Sequence, residues 1–90
     1  MSLWSAAQNT VDMASATLRS LQIIETLTRS GRPKEALAAA RTIVLAVLEG
    51  YQGRVRGAAL VNALDAFGIE LQKEGGVPSP AMLDRFATML

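Results

Sequence analysis

The chain has neither cysteine nor histidine in its 90 residues. Without cysteine there is no disulfide framework, no thiolate nucleophile and no zinc ribbon, and the redox compartment leaves no mark. Without histidine the commonest general base and metal ligand is missing. Aromatic residues are few: Trp4, Tyr51, Phe67 and Phe86. No apolar run approaches the ~20 residues needed to cross a bilayer. The N-terminus carries no basic stretch followed by an apolar core, so no secretory signal is expected. Nor does either sign of charge dominate: nine basic residues stand against eight acidic ones, for a net +1. A global polyelectrolyte is excluded.

What remains is rich in alanine and leucine. Half the chain is hydrophobic, 19% is charged, and the mean hydropathy is +0.24, a composition that folds rather than stays disordered. The length allows one domain over residues 1–90 and excludes a second. A chain this short buries only ~60–65% of its unfolded surface, so its own core gives marginal stability. Fifteen alanines and twelve leucines, the strongest helix formers, make up much of the apolar half. Strand formers are scarce, and no segment alternates apolar with polar for long. The expectation is a cytoplasmic, all-α protein: a small bundle of about four helices with a long N-terminal helix, oligomeric, and about 75–85% helical against a base rate of ~30–35%.

Punctuation divides the helices. The first is predicted over Leu3–Arg29 with Ser2 as N-cap. Along it Trp4, Ala7, Val11, Ala14, Leu18 and Leu21 recur at spacings of three and four, then drift to Ile24 and Leu27. At ~1.5 Å per residue this helix is about 40 Å long, too long a stripe for so small a chain to cover easily. It reads either as a core helix or as a surface that meets a second chain. Gly31 and Pro33 end it and restart the next helix, predicted over Pro33–Glu49. There Leu37, Ala40, Val44, Val47 and Leu48 form one face, with Ala36, Ala39, Ile43 and Ala46 extending it. The stretch Thr42–Leu48 has a strand-like composition, but the alanine run before it favours helix. Gly50-Tyr51-Gln52-Gly53 reads as a loop. A third helix, starting between Val55 and Ala58 and ending near Glu74, has the spine Leu60, Leu64, Phe67 and Leu71, with Gly68 costing ~1 kcal/mol inside it. After Gly75-Gly76-Val77-Pro78, Ser79 and Pro80 start a short last helix with Met82, Leu83, Phe86 and Leu90 on its apolar face.

Motifs that carry chemistry are sparse. The run from Gly31 through Glu35, Ala36 and Leu37 resembles the turn of a tetratricopeptide repeat. Ile24 and Ile43 stand where that repeat takes small residues, no proline closes the unit at Leu48, and no second copy follows. The segment therefore reads as an ordinary helical hairpin. Glu70 and Glu74 share a helix face but have no histidine, cysteine or second acidic helix to make a metal or acid–base site. No phosphate loop is present, and the serines have hardly any base to activate them. The reading is not an enzyme, with no catalytic residue, no cofactor and no metal.

Charge is unevenly spread. Between Arg29 and Arg56 there are six cations and two anions, which makes that section +4, the residues before it −1 and those after it −2. Arg29, Arg32 and Lys34 fall at one end of the second helix and Arg54 and Arg56 at the other, about 24 Å away by helix rise. The first functional expectation is a non-enzymatic protein–protein interaction module, a small adaptor, assembly or chaperone-like protein. It acts as a homodimer through Trp4, Val11, Leu18 and Leu21, or engages another helical protein. The alternative is a small nucleic-acid-associated regulator using Arg29, Arg32, Lys34, Arg54 and Arg56. A weaker third is a carrier of apolar ligands in a cavity between helices.

Overall fold

A computed structural model describes residues 3–90, with side chains from Ser5 onward. The expected Ser2 cap and the side chain of Trp4 lie outside the described residues. Four helices make up the described chain: α1 (Leu3–Thr28), α2 (Pro33–Tyr51), α3 (Gly57–Lys73) and α4 (Pro80–Met89). Helix accounts for 81% of the chain, and no strand occurs among the described residues. The stretch Thr42–Leu48 lies within α2 as helix.

The helix ends follow from local chemistry. Pro33 opens α2 and Pro80 opens α4, where an N–H would have no partner in any case. Ser79 caps α4, its hydroxyl accepting from the Met82 backbone N–H at 3.3 Å. The second helix runs two residues beyond its predicted end, through Gly50 to Tyr51. The terminator is Gly53, whose φ of +78° only glycine takes cheaply. The Gly53 N–H reaches the Gly50 carbonyl at 3.1 Å and the Arg54 N–H reaches that of Glu49 at 2.9 Å, which satisfies two otherwise orphaned acceptors. Gly68 does not end α3 early; the helix continues to Lys73.

Helix α1 is the axle. It packs against both α2 and α3, α4 packs on α3, and α2 and α3 barely meet. The molecule measures 44 × 21 × 20 Å, its long dimension set by the 26 residues of α1. The predicted spine of α3 is wholly buried, as are Met82 and Phe86 of α4. Phe67 and Phe86 meet edge to face, 5.8 Å between ring centroids, and lock α4 onto α3.

For α1 the core is not where the aliphatic stripe pointed. Val11, Leu18 and Leu21 are 58–59% exposed, and Ala7 and Ala14 are exposed with them. The buried face is Met13, Ala16, Ser20, Ile23 and Leu27, a second stripe of the same three-and-four spacing on the other side of the helix. Its small members let neighbours come close. Polar Ser20 is tolerated inside because its hydroxyl donates to the Thr17 carbonyl at 2.7 Å. The same inversion occurs in α2, which buries Ala36, Ala39, Ile43, Ala46 and Gly50 and leaves Leu37, Val44, Leu45 and Leu48 exposed.

Two glycines respond oppositely to a methyl group. At Gly57 an added Cβ would lie 2.7 Å from the Asp12 Cβ and 3.3 Å from the Asn9 carbonyl oxygen, atoms fixed to the α1 backbone. The Gly57 N–H also donates to the Asn9 side-chain oxygen at 3.1 Å, so α1 caps α3 from a distance. At Gly68 the new Cβ would sit 3.9 Å from Ile23, an ordinary contact. Gly57→Ala is expected to destabilise by about 1–3 kcal/mol through overpacking, whereas Gly68→Ala should stabilise by up to ~1 kcal/mol through helix propensity. Urea unfolding at one protein concentration measures both, and equal signs would show that the α1–α3 contact is looser than described.

Candidate functional site

The feature that stands out chemically is the outer surface shared by α1 and α2. Its construction starts from the small-residue seam between the two helices. Helices that touch through alanine and glycine approach closely, and the larger side chains are turned to the flanks. The antiparallel register is set at both ends. A Cβ on Gly50 would meet the Met13 thioether, and Leu27 and Ala36 line one groove at the hairpin end. Tyr51 reaches back to Thr17, their hydroxyl oxygens 2.7 Å apart. Because the Thr17 hydroxyl already donates to the Met13 carbonyl at 2.8 Å, the Tyr51 hydroxyl is the donor.

Within this frame Leu18 and Leu21 come from α1, and Leu37, Val44, Leu48 and Tyr51 from α2, with Val11 further along α1. All seven are classed by exposure as solvent-facing; Leu37 reaches 63% and Tyr51 61%. Their exposure runs from 45% at Val44 to 63% at Leu37, more large apolar surface than the single scattered side chains a monomeric protein commonly leaves in water. Where α1 ends and α2 begins, an open groove of about 350 Å³ continues the patch. Ile24, Leu27, Pro33, Ala36, Leu37 and Ala40 line it, with Arg32 beside them. This is a surface cleft and not an enclosed cavity between the helices.

Of the residues expected to bind a partner, Val11, Leu18 and Leu21 are thus on the surface and partly adjoin the patch. Sequence reasoning missed the contribution of α2. The signal was present in the positions 36, 39, 43, 46 and 50, four small residues and one isoleucine at heptad spacing, which mark a close-packing seam opposite the large side chains.

The basic residues are not gathered. Arg29, Arg32 and Lys34 stay at one end of the 19-residue α2 and Arg54 and Arg56 at the other. Arg29 pairs with Glu25 along α1, and Arg54 contacts Glu49 at 3.5 Å. Among the described residues Arg32, Lys34, Arg41 and Arg56 make no ion pair. On the opposite side Arg19 joins α1 to α3 through Asp65 at 2.6 Å. Glu70 is clasped by Arg85 of α4, whose Nε donates at 3.2 Å while Nη2 donates to the other carboxylate oxygen. That bond holds the Arg85 guanidinium above its ordinary pKa. Glu70 is therefore occupied in joining helices, and among the described residues no three acidic side chains converge on a point. None of the helices described is long and apolar enough to cross a membrane.

No family model, curated protein or solved structure matches this chain.

Two separated cation groups bind a duplex only through generic electrostatics. Association no tighter than ~10⁻⁴–10⁻⁶ M is expected at physiological salt, and reversing Arg32, Lys34, Arg54 and Arg56 to Glu should abolish it. Fluorescence anisotropy with a labelled duplex, across a salt series, measures this. Nanomolar affinity for one oligonucleotide would move the basic segment to first place.

Proposed function

We propose that the chain is a non-enzymatic protein–protein interaction module, a small adaptor, assembly or chaperone-like protein that acts as a homo-oligomer in the cytoplasm. The observation that carries this reading is the inverted helix α2: it faces the core with alanine and glycine and faces water with leucine, valine and tyrosine. Water contact with that much aliphatic surface is costly, at roughly 25 cal/mol per Å² of apolar area. A monomer with a marginal core gains by covering it, and a protein partner covers it best.

Oligomeric state tests the proposal directly. Sedimentation equilibrium at micromolar concentration should give a dimer that dissociates on dilution, because only an intermolecular contact follows mass action. Replacing Leu18 and Leu21 together by Glu should shift the equilibrium to monomer with helix content unchanged, since both side chains are already at the surface of the single chain. A monomer at every concentration would overturn the homo-oligomeric reading.

A further inference from the structure

We infer that the outer face of α1 and α2 is a self-complementary interface that takes the same face of a second copy, with α1 of each copy lying on α2 of the other. The inference rests on the homo-oligomeric reading above and adds the face, the partner and the arrangement.

Area is the first argument. A standard stable interface buries ~800 Å² per partner, and seven large apolar side chains, each 45–63% exposed, supply a face on that scale. A small ligand needs far less, and the groove at the hairpin end takes in only part of the face. A twofold pair uses one patch on both partners, so this single face is enough to close the assembly.

Charge is the second argument, and it chooses the arrangement. Lys34 and Arg41 lie two turns apart along the outer edge of α2, flanking Leu37 and Val44, and neither has an ion-pair partner among the described residues. The α1 side of the face carries no net charge. Glu25 follows Leu21 by one turn and Leu18 by two, and among the described residues it pairs with Arg29, a cation one turn further along the same edge. A twofold axis parallel to the helices stacks α1 on the partner's α2 and preserves height along the helix. The seating of Met13 against Gly50 sets that height. It brings Glu25 level with the turn Ala38–Arg41 and Arg29 level with Lys34, so a neutral edge of one copy meets the cationic edge of the other, with Glu25 beside Arg41, twice. An axis perpendicular to the helices would instead lay α2 on α2 and set two cationic edges together, which like-charge repulsion opposes.

The experiment compares dimer dissociation constants by sedimentation equilibrium, with circular dichroism as the folding control. Val44→Glu and Leu21→Glu should each raise Kd at least about a hundredfold, while Ile69→Glu on α3, where the native side chain is equally exposed, should leave it within about threefold. Arg41→Glu should raise Kd about tenfold, and adding Glu25→Arg should restore it to within about threefold of the parent chain. A dimer that survives Val44→Glu and Leu21→Glu overturns this face while leaving the homo-oligomeric reading in place. A parent chain that never dimerises overturns both. Charge reversal without restoration overturns the stacking of α1 on α2.

Discussion

The close approach of α1 to its two neighbours governs the rest of the molecule. On α1 it depends on Ala16 and Ser20, on α2 on Ala39, Ala46 and Gly50, and on α3 on Gly57 and Ala63, all buried. At Gly57 even one methyl group would collide with the first atoms of the Asp12 side chain. Such contact gains dispersion wherever the small residues meet. It also imposes a consequence. Wherever two helices touch through small residues, the large ones must find another surface to cover.

The two halves of the chain meet that demand differently. Helices α3 and α4 turn Leu60, Leu64, Phe67, Leu71, Met82 and Phe86 inward, where α1 closes over them. The Phe67–Phe86 contact, the Ser79 cap and the Arg85–Glu70 clasp all fix α4 to α3. Helix α2 has little but α1 to lean on. Its seam consumes the alanines, and Leu37, Val44, Leu45 and Leu48 are left outside. One half therefore encloses its large side chains and the other leaves them outside, and the long α1 belongs to both.

Charge follows the same division. Arg19–Asp65 and Arg85–Glu70 join helices within the α1–α3–α4 side and use up opposite charges locally. Around α2 the cations Arg32, Lys34 and Arg41 stand without such partners among the described residues. Exposed ion pairs contribute little to stability, so this asymmetry has little weight in folding.

Much of the fold was legible from sequence because the relevant signals are local. Pro33, Pro80, Ser79 and the glycine-rich breaks mark helix ends through backbone geometry that needs no neighbour. The α3 spine was readable because its large residues share one side and have no rival stripe. The run of α2 through Gly50 was missed because a buried glycine, there, admits the Met13 side chain and does not break the helix. The candidate surface is half legible: the sequence points to Val11, Leu18 and Leu21, whereas Leu37, Val44 and Leu48 read as core and Tyr51 as loop. The sequence by itself determined that four helices form and where all but α2 stop. Only tertiary structure decided which face of α1 and α2 turns inward. Both helices carry two stripes of equal spacing, and helical periodicity cannot choose between them. In α2 the choice falls to the stripe whose small side chains let another helix come close, and in α1 the inward stripe sets Ala16 and Ser20 among the larger Met13, Ile23 and Leu27.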